Sequence, residues 1–198
     1  MSILFIEKTK TFHLYNQKIS YIMTVLPNGH MGQLYFGKRI HHKEDFSYLL
    51  ERQRRPMTAC VFDDDSSFSL EHTRQEYGVY GTTDFRHPAV EILQEDGSRL
   101  SDFVYAGHEV TAGKPKLPGL PATYTEAQEE AETLVVRLKD AQTQMALELF
   151  YTIFAEGGIL TRSVRFTNEG KKNVQLTRAM SLCLDLQDRW YEWMQFSG

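Results

Sequence analysis

The stretch MALELFYTIFAEGGILTRSVRFTNEG (Met145–Gly170) decides the fold class. In its first half Met145, Leu147, Leu149, Tyr151 and Ile153 alternate with Ala146, Glu148, Phe150 and Thr152; in its second, Leu160, Arg162, Val164 and Phe166 oppose Thr161, Ser163 and Arg165. A period of two puts one set on each side of an extended chain, so both halves read as half-buried strands. Between them, EGG (Glu156–Gly158) supplies the positive φ of a tight hairpin, and NEGKK (Asn168–Lys172) is expected to do the same one strand later.

The pattern continues outward. PNG (Pro27–Gly29) separates ISYIMTV from MGQLYFG, and QEDGS (Gln94–Ser98) carries an Asp-Gly turn signal between Val90–Leu93 and Phe103–Tyr105. AGKPKLPGLPATY (Ala112–Tyr124) cannot donate continuously to a ladder and is expected to be an extended connection between two groups of strands. Helical signal is confined to two places. Asp45 is placed to cap DFSYLLERQR, with Phe46, Leu49 and Leu50 on one side and Pro56 beyond its end. EAQEEAE (Glu126–Glu132) forms either one helical turn or a solvated approach to a strand. So many strands with so little helix to cover them imply an all-β chain of two antiparallel sheets stacked face to face.

At 198 residues, 41% of them hydrophobic, the chain suffices for one sizeable domain. Its net charge is −4 with Lys and Arg dispersed, which argues against a nucleic-acid partner. The opening MSILFIEKTKTF has neither a basic region nor a long apolar core, and no stretch is long enough to span a bilayer, so a soluble cytoplasmic protein without a membrane partner is expected. Cys60 and Cys183 lie far apart without metal-binding spacing; Cys183, inside SLCLDL, reads as a small core residue. At the other extreme, RWYEWMQFSG (Arg189–Gly198) gathers both tryptophans, a Tyr and a Phe where ordinary domains fray. Such a cluster wants a partner surface, so the chain is expected to be the front piece of a longer polypeptide.

Chemistry is harder to find. Carboxylates abound, but abundance does not place a catalytic pair. Asp63, Asp64 and Asp65 lack the Gly and later Glu of a calcium loop, His41 and His42 would face opposite sides of a strand, and the sequence has no HExxH, GxSxG, phosphate-loop or GxGxxG motif. No metal or cofactor is expected. RQEYGVYGTTDFRHPA (Arg74–Ala89) is the exception: Tyr77 and Tyr80 offer flat faces with polar tips, while Arg74, Asp84, Arg86 and His87 offer hydrogen bonds suited to sugar hydroxyls. The same inventory builds a structural clamp, with Arg86 paired to Asp84 or Glu76 and with Gly78 and Gly81 where the backbone needs room; composition favours the clamp.

FHLYNQKISYIM (Phe12–Met23), FSLEHTRQEYGVYGTTDFRHPA (Phe68–Ala89), GKPKLPGLPATY (Gly113–Tyr124), ETLVVRL (Glu132–Leu138), LTRSVRFTNEG (Leu160–Gly170) and the aromatic end together span nearly the whole chain. In these segments it resembles the N-terminal domain of bacterial α-galactosidases of glycoside hydrolase family 36. The resemblance implies a galactose-mutarotase-like β-supersandwich over residues 1–198, followed by a catalytic (β/α)8 barrel. It further implies a retaining enzyme acting on terminal α-galactosides such as melibiose and raffinose-type oligosaccharides, with both catalytic Asp residues in the barrel and none in this chain. In tetrameric members a loop of this domain presents an acidic residue of a Leu-Asp-Arg stretch to a neighbouring subunit's pocket; Leu50-Glu51-Arg52 is the matching stretch, with Glu for Asp, and makes Glu51 and Arg52 substrate-binding candidates. Arg74, Tyr77, Tyr80, Asp84 and Arg86 then read as a structural or interface loop. Two other readings stand beside this one: a stand-alone carbohydrate-binding β-sandwich, and a mutarotase-like epimerase, which needs a convergent His pair and a carboxylate that His13, His30, His72, His87 and His108 do not visibly supply.

Overall fold

In the computed structural model, which describes residues 1–54, 65–82, 84–119, 122–186, 188–192 and 194–196, alternation becomes two facing sheets. The first sheet is an antiparallel meander of β1 (Ser2–Ile6), β2 (Thr11–Tyr15), β3 (Ile19–Val25) and β4 (Met31–Lys38). The second has the same topology: β6 (Val104–Ala112), β7 (Ala131–Asp140), β8 (Met145–Phe154) and β9 (Leu160–Asn168). A two-stranded ribbon pairs β5 (Val90–Gln94) with β10 (Val174–Ala179). The protein is all-β and antiparallel throughout its named strands.

The residues that decide the fold class sit where their period puts them. Leu147, Leu149, Tyr151 and Ile153 of β8 are fully buried, in one cluster with Leu134, Val136 and Leu138 of β7 and with Phe12, Leu14, Tyr21 and Met23 of β2 and β3. Facing sheets interdigitate in this way, and each large apolar side chain so buried contributes roughly 1.5–3 kcal/mol. The EGG hairpin closes β8 onto β9 with Gly157 at φ 73°. On the outer face of the second sheet an ion-pair ladder, Glu109–Arg137–Glu148–Arg165, crosses all four strands and leaves that face solvated.

Three turn expectations need correction. QEDGS is a closed turn (Gln94 N to Ser98 O, 2.9 Å), but β5 does not return onto β6; it pairs with β10, because the turn fixes only a reversal and tertiary packing chooses the partner. NEGKK is no hairpin either, and Gly170 is not at positive φ: the Asn168 side chain closes the turn by accepting from Gly170 N (2.9 Å), and the chain crosses to the ribbon. AGKPKLPGLPATY joins β6 to β7, neighbours in one sheet, rather than separating two groups of strands; its base is tied by Gly113 N to Ala131 O (2.7 Å) and Thr133 Oγ1 to Gly113 O (2.7 Å), while its Leu120 and Pro121 lie outside the described residues.

The helical expectations shrink to single 3-10 turns at Ser47–Leu49 and Gln128–Glu130. Asp45 is not the cap: Phe46 holds that position without a side-chain cap bond, Asp45 precedes it and accepts from Ser47 N at 2.7 Å, and Leu50 is already extended. Phe46 explains why: it is wholly buried against Ile22 and Leu34 on the outer face of the first sheet, with Ile40, Leu49 and Leu50 beside it. Residues 39–52 are therefore a strap laid over that sheet, its apolar side chains spent on covering strands. Cys183 is half-buried at the margin of the main core, and Cys60 lies outside the described residues. Trp190, Tyr191, Met194 and Phe196 are exposed; Trp193 and Gly198 are not among the described residues.

Between the sheets lies a buried ionic centre. The Glu76 carboxylate accepts from Tyr21 of β3 (2.8 and 2.6 Å), Tyr151 of β8 (2.7 Å) and the Arg162 guanidinium of β9. Arg162 also stacks over the Tyr151 ring at 3.9 Å, and it is the one charged member of the otherwise apolar inward set Leu160, Val164 and Phe166. Burial pushes the Glu76 carboxyl up against the pull of Arg162 and the two phenols, and burial first, then the carboxylate, holds both phenols well above their usual range. Removing one partner strands the other charge in the core, which costs about 3–5 kcal/mol. Arg162→Met should therefore lower the unfolding free energy by about that much, and combining it with Glu76→Gln should recover part of the loss; urea denaturation of the two single variants and the double variant checks both.

Candidate functional site

Arg74–Ala89 enters the sheet system as a partial strand. Arg74 O accepts from Gln33 N (3.0 Å) and Glu76 N donates to Met31 O (2.8 Å), so this segment runs antiparallel beside the start of β4 and carries the Glu76 side chain inward. Further along, Ala89 N donates to Gly78 O (2.9 Å), and Val79 bridges Val90 in parallel. The segment thus connects the first sheet to the ribbon.

The side chains of Arg74, Gln75, Glu76, Tyr77, Asp84 and Arg86 bond within the fold. Arg86 grips Asp84 with two bonds (Nε to Oδ1 2.9 Å, Nη2 to Oδ2 3.0 Å) and reaches the carbonyls of Leu70 and Thr73, both at 2.9 Å. Gln75 donates to the same carboxylate. A charge-assisted fork of this kind is geometrically exacting, and it pins three backbone stretches around one guanidinium. Arg74 donates to Leu34 O (3.3 Å). Tyr77 is buried and donates to Met180 O at 2.6 Å, and burial pushes its phenol up to about 12. Gly81, at φ 100°, holds a left-handed backbone that strains any L side chain, and a Cβ there would also have to displace the end of Leu100; Gly78 is not so constrained. Tyr80 and Phe85, packed edge to face at 5.6 Å, turn outward, as does His87, which lies at 3.3 Å from Arg178, and Arg86 is partly open to solvent. Asp84, Tyr77 and Glu76 are therefore engaged before any hydroxyl could reach them, and Thr83 lies outside the described residues.

Glu51 and Arg52 are not part of this clamp; they stand at the end of the strap, next to Leu50, which packs on Leu26, Phe68 and Leu70. Glu51 is exposed; Arg52 pairs with Asp65 at 2.8 Å, and Asp65 in turn holds Ser67 N (2.9 Å). Asp63 and Asp64 lie outside the described residues. An exposed pair of this kind contributes little stability, so it orients Arg52 rather than securing the fold. Arg52 also lines a cleft of about 410 Å3 with Thr24, Leu26, Leu34, Ser47 and Leu50. Another cleft, about 510 Å3, gathers three carboxylates at the ends of the ribbon and β9, yet each is occupied: Glu95 accepts from Asn173 N, Asp96 from Ser98 N, and Glu169 pairs with Lys139. No cluster of three or more His, Cys, Asp or Glu suited to a metal occurs among the described residues.

Two constellations escaped the sequence. Glu76 and Arg162 lie far apart in the chain, and the only trace was an Arg in an apolar register. The second involves a histidine outside the five weighed for an epimerase: His13 Nδ1 lies 3.0 Å from His42 Nδ1, with the rings stacked. The other nitrogen of His13 meets the Ser20 hydroxyl (3.0 Å), not the carboxylate that an epimerase needs. His30, also buried, pairs with Asp102 at 2.7 Å.

Comparison with known proteins places this geometry. Residues 29–198 match the family model of the glycosyl hydrolase family 36 N-terminal domain. The whole chain is 38% identical to α-galactosidase AgaA of Geobacillus stearothermophilus and 35% identical to α-galactosidase 1 of Pediococcus pentosaceus, covering 27% of each. Among solved structures, the α-galactosidase of Lactobacillus brevis superposes with a TM-score of 0.86 at 34% identity, over 91% of this chain and 24% of that one. A variant of G. stearothermophilus AgaA in complex with raffinose gives 0.80 at 39% identity, over 87% of this chain and 24% of that one. The chain spans about a quarter of the length of the curated relatives it matches. It belongs to glycosyl hydrolase family 36, as an N-terminal domain of that family.

Proposed function

We propose that the chain is the N-terminal part of a retaining α-galactosidase that hydrolyses terminal α-galactosides such as melibiose and raffinose-type oligosaccharides. The observation that carries this reading is the full-length match to a quarter of enzymes named α-galactosidase, one neighbour of which is solved with raffinose and another with stachyose. Catalysis then belongs to a (β/α)8 barrel downstream of residue 198. The three carboxylates of the cleft at the ends of the ribbon and β9 favour this division of labour, because they already serve turns and a surface ion pair.

The sandwich supports that barrel and a homotetramer. Tyr80 and Phe85 of the clamp segment, Leu100, Leu176 of the ribbon and Leu182 are exposed, as are Trp190, Tyr191, Met194 and Phe196, and give the domain apolar surface to bury. Arg74, Tyr77, Asp84 and Arg86 hold the clamp segment in shape, while Glu51 and Arg52, at the end of the strap, rim the pocket of a neighbouring subunit.

Two outcomes are expected. The full-length protein should hydrolyse p-nitrophenyl α-galactoside while residues 1–198 alone show no turnover; activity in the purified segment would overturn the assignment of chemistry to the barrel, and an inactive full-length enzyme would leave a stand-alone sugar-binding sandwich as the better reading. Glu51→Ala in the full-length protein should lower kcat/KM about tenfold, the size of one hydrogen bond to a charged group, with the oligomer intact by sedimentation. Unchanged kinetics would remove Glu51 from the pocket.

A further inference from the structure

The strap is fastened to the first sheet where it begins, by Arg39 N donating to Lys18 O (2.8 Å), and further along at a buried polar point centred on His13. His13 projects from the outer face of β2, opposite Phe12 and Leu14, and is wholly buried beneath the strap. Its ring packs edge to face on Phe46 (5.2 Å), stacks with His42 (5.3 Å) and lies 4.8 Å from Tyr15. Ser20 Oγ accepts from the strap's Ile40 N–H at 3.1 Å, and its hydroxyl proton is then free to serve His13 Nε2 at 3.0 Å. That assignment leaves the His13 proton on Nδ1, donated to His42 Nδ1. A hydrogen bond between two imidazole nitrogens needs one proton between them. One added proton is tolerated, because His42 can donate while His13 changes tautomer and gives its Nε2 proton to Ser20. A second cannot be accommodated, since both Nδ1 atoms would carry hydrogen at 3.0 Å.

We infer that the His13–His42 pair is a pH-sensitive latch that holds residues 39–52 on the first sheet and releases them when both rings are protonated, thereby setting the position of Glu51 and Arg52. Its role in the neighbouring pocket rests on the function proposed above; the latch itself does not. The surroundings resist the second proton from every side. β3 supplies only the Ser20 hydroxyl, and β1 the apolar Leu4 opposite His13. The strap brings His42 and Arg39, whose guanidinium sits 5.3 Å over the Tyr15 ring, and no opposing carboxylate acts on His13. Burial, then His42 and Arg39, lower the His13 pKa from 6.5 to about 4. A depressed histidine has a definite sign: the closed strap is fully favoured above about 6.5 and loses ground as pH falls toward 4, because only the released ring takes the proton readily.

Hydrogen exchange on the full-length protein reads this directly. Corrected for intrinsic rates, protection of the strap amides of Ile40, Leu49 and Leu50 should fall by roughly tenfold per pH unit below about 6.5, while the β7–β8 amides keep theirs. His42→Ala, at an exposed position, should cut strap protection about fivefold already at pH 7.5, the size of one hydrogen bond, and His13→Gln, which cannot take a proton, should abolish the pH slope. A strap whose protection is flat with pH, one that loses protection only together with β7–β8, or a slope that survives in His13→Gln would overturn the latch. If the slope appears as described but Glu51→Ala leaves kinetics unchanged, the latch stands and the pocket role of Glu51 falls.

Discussion

One carboxylate, Glu76, sets the relation between the two halves of the molecule. It takes hydrogen bonds from a strand of the first sheet and from two strands of the second, and it arrives on a segment that is itself paired to β4. Apolar faces alone tolerate sliding, because burial is non-directional and roughly proportional to area. A desolvated carboxylate does not, because each of its acceptor sites must be met at one distance and angle. Such a centre adds little net stability over a hydrophobic one of equal volume, but it allows a single alignment of the sheets.

Everything in Arg74–Ala89 can be understood as service to that alignment. Arg86 and Asp84 knit the returning chain to Leu70 and Thr73, Tyr77 ties it to the segment after β10, and Gly81 turns through a positive φ that other residues adopt only under strain. A stretch rich in sugar-compatible groups is thus spent on architecture. Among what it leaves to the outside is the apolar pair Tyr80 and Phe85. The opposite, outer face of the second sheet, with its balanced ladder from Glu109 to Arg165, is suited to water.

What could be read in the sequence follows the range of each interaction. The alternation from Met145 to Ile153 was legible because side-chain period is a property of one strand, and the Asp84–Arg86 fork was legible because its partners stand two residues apart. The pairing of β5 with β10 was not: turn residues at Gln94–Ser98 announce a reversal without saying what the strand meets. Residues 45–54 looked helical because Phe46, Leu49 and Leu50 are spaced for one face, but a sheet surface offered those side chains more burial than a short isolated helix would. His13 with His42 and Glu76 with Arg162 are products of tertiary contact alone, visible beforehand only as a polar residue in an apolar register.

The ribbon has a consequence for how this chain comes into being. A ribosome releases β5 long before β10, so Val90–Gln94 emerges with one row of backbone donors and acceptors that nothing yet made can complete. Both meanders can close locally as they appear, but Tyr77 cannot reach Met180, nor β5 its partner, until nearly the whole domain has been synthesised. The last native contacts to form during synthesis are then those of the ribbon and of Tyr77 with Met180, so the order of synthesis makes the closing of the ribbon the final step of the sandwich.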